Sequence, residues 1–181
     1  CDEWHTKCSL ITRIVPYKLW FIFKLLNYFQ FKSIDGEIIK LSDYKNKVLV
    51  IVNVASRCGY TPQYNDLQSL WSEYKDKDVV VIGVPTNNFK QEPGSNKEIK
   101  DFCETNFGIN FPMSEKVDVI GKNAHPFYKW AKKNHGIAAI PKWNFHKIII
   151  GKNGKVVDTF ASFTKPSSKK FINLIKKEIK N

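Results

Sequence analysis

The segment Lys47-Val-Leu-Val-Ile-Val-Asn-Val-Ala-Ser-Arg-Cys-Gly-Tyr-Thr-Pro62 decides the fold. From Val48 to Val54 it is an apolar run broken only by Asn53, and a run without alternation marks a strand buried on both faces. Thr61 and Pro62 then read as a helix start, the threonine as N-cap and the proline at the first helical position. Leu67, Leu70, Trp71 and Tyr74 follow at helical spacing. Between strand and helix stands Cys58. The strand holds it at the carboxyl edge of a sheet, and the helix N-terminus beyond it offers unpaired N–H groups that favour an anion. An ordinary thiol, with a pKa near 8.5, is only roughly 3% thiolate at pH 7, and the thiolate is the nucleophile. A helix terminus and the neighbouring Arg57 are the features expected to raise that fraction. A buried, inert thiol is the ordinary alternative for a lone cysteine after a strand. Gly59 and the polar Tyr60-Thr61-Pro62 surroundings weigh against it.

Outward from this segment the texture stays that of an α/β domain. Glu37 to Leu41 can pair as a short strand turned by Asp35-Gly36, and Val79 to Val84 is a second buried strand. Ser95, with Glu98 three residues on, reads as a capping box opening a helix that runs to about Thr105. A further helix is expected from Ala124 to Lys133. Ile148–Ile150 and Lys155–Val157 flank Gly151-Lys-Asn-Gly154 as a hairpin, and Phe171 to Ile179 forms an amphipathic helix. Strands alternating with helices and ending in a hairpin give an α/β fold, a central mixed β-sheet flanked by helices, over residues 28–181.

Residues 1–27 differ. From Trp4 to Ile34 there is no acidic residue, and Lys7, Arg13, Lys18 and Lys24 interrupt an aromatic, apolar stretch well short of the ~20 residues a spanning helix needs. Such a basic aromatic leader has the composition of a targeting remnant or a membrane-surface helix. A terminal element packing its aromatics on the domain is the other reading.

Composition excludes several classes. At 43% hydrophobic and 25% charged residues, the 181-residue chain is not a disordered one. Four cysteines are too few for a disulfide scaffold. The net charge of +12 raises the question of nucleic acid, but every basic residue is lysine except Arg13 and Arg57. Arginine dominates bidentate base and phosphate recognition, so no nucleic-acid partner is expected. No P-loop or Gly-rich dinucleotide loop is present, and no Cys/His spacing beyond the loose Cys1, His5 and Cys8 suggests a metal. No cofactor is expected.

Three blocks occur in an order that carries a resemblance: Asn53-Val-Ala-Ser-Arg-Cys-Gly-Tyr-Thr61, Val84-Pro-Thr-Asn-Asn-Phe-Lys-Gln-Glu-Pro-Gly94 and Trp143-Asn144-Phe145. Together they resemble the glutathione peroxidase family, in its cysteine-type, thioredoxin-dependent branch, whose apicomplexan members share the lysine- and asparagine-rich composition. The resemblance implies a thioredoxin-like fold and reduction of hydrogen peroxide and organic or lipid hydroperoxides. It implies a peroxidatic Cys58 that passes through a sulfenic acid, with Trp143 and Asn144 beside it. The family's fourth site residue is a glutamine in the second block. That block is one residue short here, so Asn88 most simply takes the glutamine position, with Asn87 or a shifted loop as alternatives. Phe102-Cys103 resembles the resolving-cysteine block, while the second block's own cysteine is Thr86 here. The resemblance therefore implies a Cys58–Cys103 disulfide reopened by thioredoxin or a related thiol reductant, with local disorder near residues 97–110 as the two sulfurs meet. Tetrameric, glutathione-dependent members carry selenocysteine and contact glutathione through arginines. A standard cysteine and scarce arginine favour thioredoxin and a monomer. The expected setting is the cytoplasm, a plastid-like organelle or a mitochondrion. Two other functions use the same features: a peroxide sensor that relays its disulfide to a partner, and a membrane-surface binding protein acting through the leader.

Overall fold

Because both faces of the Val48–Val54 strand are apolar, both must be covered, and this requirement organises the molecule. The computed structural model describes residues 28–181; the leader of residues 1–27 lies outside the described residues. In chain order the elements are β1 (Gln30–Lys32), β2 (Ile38–Lys40), β3 (Val48–Val54), α1 (Gln63–Tyr74), β4 (Val79–Pro85), α2 (Asn96–Phe107), α3 (Pro126–His135), β5 (Lys147–Ile150), β6 (Val156–Phe160) and α4 (Lys169–Lys180). Short 3-10 turns occupy Leu41–Tyr44 and Gly136–Ala139.

The main sheet runs β4-β3-β5-β6. β3 pairs parallel with β4, Val48 opposite Val79 and Val54 opposite Pro85, and antiparallel with β5, Val52 opposite Lys147. β6 returns antiparallel along β5. Val50, Val52 and Val54 point to one layer, where α1, α2 and α4 contribute Leu67, Ile99 and Phe171. Leu49 and Ile51 point to the other, against Phe29 and Phe31 of the β1–β2 hairpin and Phe127 and Tyr128 of α3. Alternation therefore persists in β3, each side chain serving a different apolar layer. The predicted mixed sheet flanked by helices is the observed one.

The capping box forms as predicted: Ser95 Oγ accepts from Glu98 N–H, and the Glu98 carboxylate accepts from Ser95 N–H at 2.7 Å. Gly108, at φ 59°, ends α2 in the left-handed conformation. Two helix starts differ from expectation. α3 begins at Pro126, with His125 Nδ1 accepting from Phe127 N–H as the cap. α1 begins at Gln63 after Pro62, with no side-chain cap, because the Thr61 hydroxyl is engaged in the Cys58 loop instead.

Candidate active site

β3 ends beside β4 on one side and the 143–146 segment on the other, so three stretches distant in sequence meet at one edge of the sheet. Asn53 is the joint. Its backbone N–H donates to His146 O at 3.3 Å, its carbonyl accepts from Phe145 N–H at 2.6 Å, and its Nδ2 donates to Trp143 O at 3.1 Å. This grip accommodates Phe145 at φ 61°, a conformation a bulky residue adopts only under constraint from its surroundings. The turn so formed buries Asn144 completely and leaves Trp143 41% exposed, its indole against the Phe89 ring with centroids 5.4 Å apart.

Cys58 lies at the start of the loop leading into α1. Thr61 Oγ1 accepts from Cys58 N–H at 3.1 Å while its own hydroxyl donates to Ala55 O at 2.9 Å, closing the loop on itself. The N–H of Tyr60 points to Cys58 Sγ at 3.4 Å. Cys58 is 7% exposed. A second anchor comes from the β4–α2 connection: the buried Glu92 carboxylate accepts from Ser56 N–H at 2.7 Å and Ser56 Oγ–H at 2.9 Å. Burial raises the Glu92 carboxyl above its ordinary value, and the two Ser56 bonds with Lys116 and Arg57 oppose that rise. A third anchor lies at the head of α1. The fully buried Lys147 Nζ donates to Gln63 Oε1 at 2.6 Å, Thr164 O at 2.7 Å and Ser162 O at 3.3 Å. Burial pulls this ammonium down to about 7, against the attraction of Asp66, while the three acceptors match its three hydrogens.

The structure departs from the sequence reading at the glutamine position. Asn88 does not reach the cysteine loop: its Oδ1 accepts from Val119 N–H at 2.6 Å and its Nδ2 donates to Asp118 Oδ1 at 2.7 Å. Both ends of that amide are spent on tethering the 118–120 segment. Gln91 stands at the edge instead. Its carbonyl accepts from Arg57 N–H at 3.1 Å, one residue from Cys58, and its Oε1 accepts from Asn144 Nδ2 at 2.9 Å. The Gln91 Nε2 hydrogens are thereby free to donate toward a ligand. The missing residue is absorbed at Lys90, which turns the chain at φ 58° and donates to Asn87 O. Aligned on its intact Gln91-Glu92-Pro93-Gly94 end, the block puts Asn87 at the glutamine position, and the Asn87 Oδ1 accepts from Glu92 N–H at 3.0 Å; no signal in the sequence singled out Gln91.

Cys103 sits apart from these polar groups, on the inner face of α2 and 1% exposed. Burial raises its thiol to about 11; the Tyr64 phenol it faces opposes the rise, and the Glu92 and Glu104 carboxylates add to it. Both Cys58 and Cys103 are free thiols. Beside Trp143 a groove of about 390 Å³ runs between Ile137, Ile140, His146 and Ala161. A larger cavity of about 560 Å³ opens between the β1–β2 hairpin and α2; Cys103 is in its wall, but Cys58, Gln91, Trp143 and Asn144 are not.

A cysteine in the turn between strand and helix, at the edge of a mixed sheet, with the Gln91–Asn144 amide pair and the exposed Trp143 indole on neighbouring segments, is the arrangement of a thiol oxidoreductase. The comparisons give the family. The glutathione peroxidase profile matches residues 26–132. The chain is 49% identical over 142 residues to glutathione peroxidase-like peroxiredoxin 2 of Saccharomyces cerevisiae, covering 76% of this chain and 87% of that protein. The crystal structure of T. cruzi GPX1 superposes with a TM-score of 0.66 at 31% identity, over 88% of this chain and 97% of that one. A thioredoxin-family thiol:disulfide interchange protein from Chlorobium tepidum shares the fold at 16% identity, with a TM-score of 0.64 over 83% of this chain and 92% of its own. This chain belongs to the glutathione peroxidase family. It is a thiol-dependent peroxidase on a thioredoxin-like fold.

Proposed function

We propose that Cys58 is the atom oxidised and Cys103 the thiol that resolves it. The Cys58 thiolate attacks the terminal oxygen of a hydroperoxide, the O–O bond breaks, and water or an alcohol leaves after taking up a proton, so the sulfur becomes a sulfenic acid. Cys103 S–H then condenses with Cys58 S–OH, forming the disulfide and releasing water. A dithiol protein of the thioredoxin type returns both sulfurs to thiols, becoming a disulfide itself. The observation that carries this reading is the Gln91–Asn144 amide pair beside the Cys58 loop, with the Gln91 N–H2 left to donate. Donors fixed where negative charge develops stabilise a departing oxygen without competing as nucleophiles.

Three features support the rest. α2 fully buries only Ile99 and Cys103 of its twelve residues, with Phe102 and Phe107 half-buried against the core, so it is among the less deeply packed helices to release. The groove beside Trp143 offers Ile137, Ile140 and Ala161 to the organic part of a hydroperoxide, among polar neighbours that include Lys142 and Ser162. The standard cysteine and the scarcity of arginine favour thioredoxin over glutathione. The same reading carries a monomer, a cytoplasmic or organellar setting, and membrane-surface contact through residues 1–27.

Two outcomes test it. With hydrogen peroxide as substrate, the purified protein turns over with thioredoxin, its reductase and NADPH, and barely with glutathione and its reductase; equal turnover overturns the thioredoxin assignment. Gln91→Ala slows oxidation of Cys58 about 100-fold in stopped flow, the cost of removing one positioned donor. Asn88→Ala leaves that rate within about threefold, since its amide serves the 118–120 tether. Reversed effects would return the glutamine role to Asn88.

A further inference from the structure

Tyr64, at the second position of α1, is a fully buried tyrosine whose hydroxyl has no hydrogen-bond partner. Its ring is held on two sides. Phe145 of the active-site turn meets it edge-on with centroids 5.3 Å apart, and Phe107, the last residue of α2, lies at 5.2 Å. The polar group facing the phenol is the Cys103 thiol, a weak donor and a weak acceptor. One side chain thus touches the turn that carries Trp143 and Asn144, the end of α2 and the second cysteine.

We propose that Tyr64 is a positioning residue for the resolving step, its unpaired buried phenol keeping α2 poised to open so that Cys103 can reach the oxidised Cys58. This rests on the assignment of Cys103 as the resolving thiol. In the closed fold the phenol has lost its water and gained only a thiol. When α2 lifts away, Phe107 and Cys103 leave with it and the hydroxyl meets solvent. The closed state therefore carries a penalty that the open state does not, equivalent to roughly a tenfold shift in the opening equilibrium. Only Ile99 and Cys103 of α2 are fully buried, and the half-buried Phe102 and Phe107 supply the rest of the apolar contact that the bias works against. Gln68 and Asn110, which bond each other at 2.9 and 3.1 Å, tie the segment after α2 to α1 and keep the chain close during the excursion.

Tyr64→Phe removes the hydroxyl and keeps the ring, so both aromatic contacts persist. The expected result is a split between two rates. Oxidation of Cys58 by hydrogen peroxide stays within about twofold of wild type, because the variant leaves the Cys58 loop and the Gln91–Asn144 pair untouched. Formation of the Cys58–Cys103 disulfide slows about tenfold, and hydrogen exchange of the α2 amides in the reduced protein slows by a similar factor. A packing defect would have the opposite sign, loosening α2 and speeding exchange. Unchanged or faster disulfide formation together with unchanged or faster α2 exchange overturns the proposal. Cys103→Ser separates the two readings. If that variant turns over fully with thioredoxin, Cys103 is not the resolver, and the hydrogen-exchange comparison alone then upholds or overturns the role of Tyr64 in α2 opening.

Discussion

Cys58→Ser abolishes peroxide turnover, with a loss of at least about 10⁴-fold, the scale seen when a reacting nucleophile is removed. A serine hydroxyl does not ionise near neutral pH and cannot carry a transferred oxygen as a sulfenic acid. The surroundings are built to tolerate the exchange: the Tyr60 N–H that points to Sγ can donate to a serine oxygen, and the Cys58 N–H bond to Thr61 does not involve the side chain. Thermal unfolding is therefore expected to move little while activity disappears. The measurement is peroxide consumption under single-turnover conditions, with a circular-dichroism melt beside it. Appreciable oxidation of the serine variant by one equivalent of peroxide would move the reacting centre away from Cys58.

Cys103→Ser is expected to separate chemistry from turnover. One equivalent of peroxide is consumed at the wild-type rate, because Cys103 bonds neither Gln91 nor Asn144. Steady-state turnover with thioredoxin then falls at least about 100-fold, since the sulfenic acid has no internal thiol to condense with. The stranded sulfenic acid advances to sulfinic acid under excess peroxide, which mass spectrometry reads as two added oxygens on the peptide carrying Cys58. The serine hydroxyl falls beside the Tyr64 phenol, a far better partner for it than a thiol, so the fold is not weakened. NADPH consumption in the coupled assay checks the rate. Full turnover would show that an external thiol attacks the sulfenic acid directly.

Much of the architecture was legible because hydrophobic pattern and turn chemistry act locally. The uninterrupted apolar run of β3 required cover on both faces, and the Ser95–Glu98 pair announced its capping box. The position of Cys58 was legible for the same reason, standing between a strand and a helix that local signals define. Thr61 was misread as a helix cap because local rules favour it there; the tertiary demand of closing the Cys58 loop on Ala55 outweighed them. The Gln91 position was hidden by the shortened second block. Where a loop loses one residue, sequence order no longer says which amide faces the partner segment, and the proposal of Gln91 rests on its bond with Asn144. Asn53 was quoted for the motif it belongs to, yet its triple grip on residues 143–146 depends on a pairing ninety positions away.

The two ends of α2 have a kinetic consequence. A helix that carries its own capping box and a left-handed glycine stop holds the instructions for its refolding within its own twelve residues and their flanks. Helix–coil relaxation of a segment this short takes about a microsecond or less. In the proposed cycle, once the reductant has opened the Cys58–Cys103 disulfide, the helix reforms far faster than two proteins can meet. The pace of recovery then belongs to the encounter with the reductant, and an excess of lysines over acids on this chain gives an acidic partner a field to follow.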